Sequence, residues 1–199
     1  MLMLNTEINR YLETIKIICP EIQKAELTKF GQTLTVTHLS EKDVYLEAGV
    51  LQPHMGFIIS GLVRSFYVDQ RGEEKTVRFI KELDYATHYT AFISKKPGSY
   101  SFQCLELTIM VNISLEAMQH AYEKIPSVQK YGRIMAEEIL KMQQARIESF
   151  LFGDAEKRYL DFMEKDPSLF NRVTLSHLCS YLGIQRQHLT RIRQKIARG

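Results

Sequence analysis

The side chains best suited to chemistry crowd into one short stretch near the C-terminal end: Arg186, Gln187, His188, Thr190, Arg191, Arg193 and Gln194. They contain no nucleophile–base pair and no metal-ligand set. They are groups that exchange hydrogen bonds with base edges and phosphate oxygens. From Asn171 to Gly199 there are six basic residues (Arg172, Arg186, Arg191, Arg193, Lys195, Arg198) and no acidic ones, so the other 170 residues hold 20 of the 26 Lys and Arg against all 23 Asp and Glu. The formal net charge of +3 is therefore concentrated at this end, and a polyanion is the natural partner. A small helical subdomain with a solvated basic face has the same composition. Spacing, turn and charge together favour double-stranded DNA.

The elements that must position these groups are two short helices. In TLSHLCSYLGIQRQHLTRIRQKI, Thr174 to Ile196, the apolar residues Leu175, Leu178, Cys179 and Leu182 share one face, and Leu189, Ile192 and Ile196 share another. Gly183 lies between them, where the first helix must stop in a left-handed backbone. Cys179 is small enough for a close helix crossing. The second helix then presents Gln187, Thr190, Arg191 and Gln194 outward, with Arg186 and His188 near its start. Arg193, Lys195 and Arg172 are assigned to phosphates or to the surface.

Upstream, residues 4–30 place Ile8, Leu12, Ile15, Ile18 and Ile22 at helical spacing, with a break at Pro20. From Leu34 the texture becomes short β-prone runs punctuated by Gly49, Gly61 and Gly72. The clearest is a predicted hairpin, FIISGLVRSFYV and EEKTVRFI joined by Asp69, Gln70, Arg71 and Gly72. Strands at this spacing with no helices between them predict a compact barrel or roll with an interior pocket. After Ser114 the pattern is helical, and about 25 residues beyond Pro126 read as one long helix, with Val128, Met135, Ile139 and Met142 near a three-four repeat. That stripe suits an interior helix against the roll and a partner helix from a second copy equally. Ser149 to Asp154 is the expected hinge, with Asp154 as a fresh N-cap.

Roll, long helix, hinge and helix-turn-helix, in that order, resemble the CRP/FNR family of bacterial transcription regulators across nearly the whole chain. The residues carrying the resemblance are Gly49, the stretch FIISGLVRSFYVDQRGEEKTVRF, and SYLGIQRQHLTRIRQKI. The fold it implies is α+β: an N-terminal cyclic-nucleotide-binding-like roll of jelly-roll type with flanking helices (1–125), a long dimerisation helix and hinge (126–152), and a C-terminal helix-turn-helix domain (153–199). It also implies a homodimer formed through the long helix, two recognition helices in successive major grooves, an effector in the roll, and RNA polymerase among the candidate partners. By position Arg186, Gln187 and Arg191 match the family's base-contacting residues.

Two departures from the family qualify this. Its cyclic-nucleotide binders carry Gly-Glu-Leu after the hairpin and Arg-Ser or Arg-Thr further on; here those places read Thr87, His88, Tyr89 and Ser99, Tyr100. Neither carboxylate nor arginine is present, so these five residues are a candidate effector pocket of unknown ligand, and tight cAMP or cGMP binding is not expected. Lys95 and Lys96 read as a solvated loop tip, with an anion contact as the alternative. The family's DNA domain is usually winged, whereas only Ala197, Arg198 and Gly199 follow Ile196 and Asp166 to Val173 is short for a hairpin. A stunted wing would remove phosphate contacts without altering base reading.

Hydrophobic residues at 45% and charged residues at 25% are ordinary for a globular chain of 199 residues. No apolar run is long enough to span a membrane and the N-terminus is broken by charge, which predicts a cytoplasmic protein. Cys19, Cys104 and Cys179 are far apart and offer no CxxC signature, which suits reduced, buried thiols. The six histidines form neither His-x-His nor HExxH, and no GxSxG is present, so neither a cupin-like metal enzyme nor a hydrolase is expected; His38 and His54 are the one pair left to meet in space. A dimeric sensor or scaffold that binds no DNA is the remaining rival. No cofactor and no metal are expected.

Overall fold

The structure, a computed structural model, describes residues 5–198. Met1 to Leu4, part of the predicted N-terminal stretch, and Gly199, counted in the C-terminal end, lie outside the described residues. The chain divides into two compact units: one runs to Ser65 and takes in Phe79–Glu138, the other comprises Phe66–Arg78 and the chain from Ile139 onward. The long helix is thus shared between the units rather than standing alone between two domains.

The first unit opens with α1 (Thr6–Ile18), whose N-cap Asn5 accepts from Glu7 N at 2.8 Å, and α2 (Lys24–Gly31), started by a Gln23–Glu26 capping box. Strands β1 (Thr35–Leu39), β2 (Val44–Leu46), β3 (His54–Ser60), β4 (Val63–Val68), β5 (Glu74–Ile80) and β6 (Tyr85–Ala86) follow, then α3 (Tyr89–Ser94), β7 (Ser101–Cys104) and β8 (Thr108–Ser114). They form two four-stranded sheets, β1-β8-β3-β6 and β2-β7-β4-β5, the double Greek key of a jelly roll.

Two expectations about the strands are corrected. FIISGLVRSFYV is not one strand: β3 ends at Ser60 and β4 belongs to the other sheet. The chain changes sheets at Gly61, with φ at 107°, where an added Cβ would stand 2.5 Å from Thr108 Oγ1 and 2.6 Å from Leu107 O. The strands are also interrupted by α3, a helix too short to leave a periodic signal.

The sheet containing β3 and β8 is buried on both faces, which explains why HMGFIIS and TIMVNIS read as nearly continuous apolar runs. Met55, Phe57, Ile59, Val111 and Ile113 face Ile8, Tyr11, Leu12 and Ile15 of α1. Ile58 and Met110 point the other way, into the roll, against Leu46, Val63, Ile80, Ala86, Phe102 and Cys104. Behind the sheet, Tyr11 Oη, Tyr85 Oη and Tyr131 Oη form a chain with 2.9 Å at each step. It ties α1 and β6 to α5 (Pro126–Leu151), which follows α4 (Leu115–Lys124) and starts on a proline at its first position.

The second unit contains the C-terminal part of α5, α6 (Ala155–Lys165), a 3-10 turn (Pro167–Leu169), α7 (Leu175–Leu182) and α8 (Arg186–Arg198). Asp154 caps α6, accepting from Lys157 N at 2.8 Å. Among the described residues after Leu151 every regular element is helical, and Asp166 to Val173 holds the 3-10 turn where a wing hairpin would need strands.

Candidate nucleic-acid interface

Thr174 starts α7 by accepting from His177 N at 3.1 Å. Gly183 ends it in the left-handed region, φ 68° and ψ 36°. Gly183 N donates to Ser180 O at 3.3 Å and Ile184 N to Cys179 O at 3.0 Å, the two closing bonds of a Schellman turn. Gln185 O then accepts from His188 N and Leu189 N at 3.0 and 3.1 Å, which starts α8. Leu178, Cys179, Leu182, Leu189 and Ile192 are buried, whereas Leu175 at 38% and Ile196 at 41%, predicted on the same faces, are exposed at the outer ends of the two helices. Burial pushes the Cys179 thiol pKa up, which keeps it protonated and structural.

With that face inward, Arg186, Gln187, His188, Thr190, Arg191 and Gln194 are all exposed. At about 100° per residue, Gln187, Arg191 and Gln194 fall on one strip opposite Leu189 and Ile192. Thr190 Oγ1 donates back to Arg186 O at 3.0 Å, leaving its lone pairs outward. The sequence alone had already singled out these residues.

Arg193 and Lys195 are placed differently. Arg193 Nε donates to Tyr159 Oη at 3.2 Å, and its guanidinium lies 5.6 Å from the Tyr159 ring centroid and 5.1 Å from that of Phe170. It is half-buried and fastens α8 to α6 and the 3-10 turn, because its position flanks the buried face. Lys195 Nζ pairs with Glu156 at 2.6 Å. Arg172 is half-buried, its N–H donating to Leu169 O at 3.0 Å.

The α5 stripe is corrected too. Val128 is 2% exposed and packed in the roll's core, so it has no surface to offer a second copy; Met135 is partly buried against that core. Ile139 is half-buried, and the Met142 sulfur accepts from Arg78 Nη2 at 3.5 Å. The apolar residues left open on this helix are Leu140 at 64%, Met142 at 45%, Ile147 at 60%, Phe150 at 46% and Leu151 at 68%. Leu140, Ile147 and Leu151 lie about 130° round the helix from the predicted stripe, of which Met142 alone is open.

Four of the five residues marked as an effector pocket come together in the roll around Gln52, which carried no sequence signal. Gln52 Oε1 accepts from Thr87 Oγ1 at 3.3 Å and His88 N at 3.1 Å, while its amide nitrogen donates to His54 O at 2.8 Å. Ser99 N donates to His88 Nδ1 at 3.3 Å, and the His88 and Tyr100 rings lie 4.6 Å apart. Burial lowers the His88 pKa. Tyr89 opens α3, and Lys95 ends it in the left-handed region with Lys96 exposed beside it. Inside the roll, Tyr45 Oη donates to Asn112 Oδ1 at 3.0 Å, and an added Cβ on Gly56 would meet Met110 Sδ at 2.7 Å.

His38 and His54 do not meet: they register with Ile109 and Ser114 on β8, about 17 Å apart along the strand. Among the described residues no three His, Cys, Asp or Glu side chains are grouped to hold a metal ion, and no helix is long and apolar enough to cross a membrane.

Sequence reasoning gave no role to two arginines behind the turn, Arg146 and Arg158. Arg146 Nη2 donates to Tyr181 O, and Arg158 Nε donates to Leu182 O at 3.0 Å. Ser180 Oγ, on the same helix, accepts from Thr76 N at 2.8 Å and donates to Glu74 O at 2.9 Å, clipping the hairpin tip within this unit.

Neither a protein-family model nor a curated protein sequence matches this chain. Solved structures do. The c-di-GMP-responsive global regulator CLP of Xanthomonas campestris is 15% identical, with 88% of this chain and 92% of that chain covered at a TM-score of 0.69. FixK2 of Bradyrhizobium japonicum is 14% identical over 82% of this chain and 84% of that one, at 0.71. The catabolite activator protein of Thermus thermophilus is 15% identical over 89% and 85%, at 0.56. At these identities the likeness shows the fold: an α+β, CRP/FNR-like architecture with a cyclic-nucleotide-binding-type roll.

Proposed function

We propose that this chain is a sequence-specific DNA-binding transcription regulator, not an enzyme, and that it acts as a homodimer. α7 and α8 form a helix-turn-helix, and α8 enters the major groove with Arg186, Gln187 and Arg191 at base edges. The observation that carries the reading is the exposed strip of Gln187, Arg191 and Gln194, held outward by the buried Leu189 and Ile192 behind a Schellman turn. Arg193 is engaged by Tyr159 and Phe170, and Lys195 shares its charge with Glu156 at the surface, so phosphate contacts are fewer than the charge count suggests and the affinity is modest.

The second copy docks on the open stripe of Leu140, Ile147 and Leu151. The roll is a sensor-type module whose Gln52, Thr87, His88, Ser99 and Tyr100 cluster offers a cyclic phosphate neither arginine nor partner carboxylate for the ribose; calorimetry should detect no micromolar cAMP or cGMP binding. RNA polymerase and an unidentified effector remain candidate partners, and the setting is cytoplasmic.

Selection of bound sequences from a random DNA pool at two salt concentrations tests the reading, since charge attraction fades with salt and base readout persists. A two-fold symmetric site with half-sites about one helical turn apart is the expected product. Enrichment of no sequence at either salt would refute it and leave a roll-based scaffold.

A further inference from the structure

Where α5 ends and α7 ends, the last carbonyls of each helix lack N–H partners of their own. Two arginines answer both ends. Arg158, on α6, donates from Nε to Leu182 O at 3.0 Å and from Nη1 to Gly153 O at 2.8 Å and Ser149 O at 3.4 Å. Arg146, on α5, donates to Tyr181 O, and its guanidinium stacks 3.8 Å from the Tyr181 ring centroid. Phe150 packs against both guanidinium groups, at 4.4 Å from Arg146 and 4.7 Å from Arg158. The junction has little slack: an added Cβ on Gly183 would stand 2.9 Å from Phe150 Cε1, and one on Gly153 would stand 2.7 Å from Ser149 O. A forked, planar guanidinium can bridge carbonyls of two helices at once, and positive charge is favoured at helix C-termini; one ammonium cannot span the same set.

We infer that Arg146 and Arg158 are positioning residues that lock the α7–α8 pair to the end of α5, turning the Ser149–Asp154 hinge into a fixed joint. The inference rests on the reading of α8 as the DNA-reading helix. In a dimer paired through α5, a fixed joint sets the distance between the two α8 helices. Tolerance for half-site spacing is then decided at the joint, whereas base preference within a half-site is decided on α8. A hinge free to bend would accommodate operators of several spacings.

The test uses the full chain, wild type and R146A/R158A, with two readouts. On operators whose half-sites are moved by one base pair, wild type should lose about tenfold or more in affinity and the double variant less than about threefold, with base preference inside the half-site unchanged. Without DNA, backbone amides of residues 150–155 should exchange at least about tenfold faster in the double variant. Retained spacing selectivity with unchanged amide protection would overturn the inference, as would loss of base preference together with spacing, which would mean the arginines only hold the reading helices folded. If wild type enriches no DNA sequence, the DNA reading fails by itself, and exchange alone judges the joint: unchanged protection sinks it. If the double variant does not fold, R158K serves, since it keeps the charge but reaches one carbonyl; its amides at 150–155 should exchange faster than those of wild type, and wild-type protection would count against the joint.

Discussion

Replacing Gly183 by alanine tests the turn on which the α7–α8 pair depends. Its backbone sits at φ 68° and ψ 36°, a region costing an L-residue about 1–2 kcal/mol. A methyl group there also meets Phe150 Cε1 at 2.9 Å, and that ring is held against the Arg146 and Arg158 guanidinium groups, so crowding adds about 1 kcal/mol or more. The expected loss is about 2–3 kcal/mol, a fall of about 1 M in the urea midpoint. The chain has no tryptophan, so far-UV circular dichroism is the suitable probe. Gly183→Asn separates the two costs: asparagine tolerates the left-handed backbone but carries the same Cβ, so its loss should be smaller by about 1 kcal/mol. In a Phe150→Ala background the crowding part should vanish, visible as non-additivity in the double-mutant cycle. A G183A loss under about 0.5 kcal/mol, or additivity with F150A, would refute the account of this turn.

Arg191→Ala should cost about 1–3 kcal/mol at a single operator base pair if it makes a bidentate contact, and competition assays that weaken equally on specific and random DNA would reassign it to a phosphate. Leu140→Asp with Ile147→Asp should shift sedimentation to the monomer, because both side chains are open on α5, while V128A should destabilise the fold without changing assembly at matched folded concentration. Tyr85→Phe should cost about 1–3 kcal/mol, more than Tyr11→Phe or Tyr131→Phe, since its hydroxyl serves both neighbours; equal losses for all three would argue against the chain of phenols. His88 should titrate below its unfolded value of about 6.5 in an NMR pH series. Its unfolded form binds the proton more readily, so its contribution to stability is complete above that value and is lost as pH falls through it towards the folded pKa. A titration at or above 6.5 would contradict its burial.

Much of the candidate interface was legible before any coordinates. Helical period places Leu189 and Ile192 opposite Gln187 and Arg191 on any straight helix, so marking the apolar side names the outward one. Gly183 between two such patterns could be read as a left-handed stop, and the concentration of Arg and Lys after Asn171 could be read as a basic face suited to a polyanion. These are local properties: they depend on residues within a few turns of one another, and the backbone's geometry fixes their relations.

The rest depends on which surfaces other elements cover. On α5 two apolar stripes share one helix, and periodicity cannot say which one the roll takes; packing in the first unit's core buried Val128 and left Leu140, Ile147 and Leu151 open. Arg193 and Lys195 carry the charge expected of phosphate contacts, yet Tyr159, Phe170 and Glu156 arrive from elsewhere in the chain to engage them. Gly61 looks like an interior strand residue until Leu107 and Thr108 stand against it and the chain must change sheets. Gln52 becomes the centre of a polar cluster only when β6 and the segment before β7 come alongside it. Side-chain angles within an element follow from its local period. Their partners follow from contacts between residues far apart in the chain, and no local pattern encodes those.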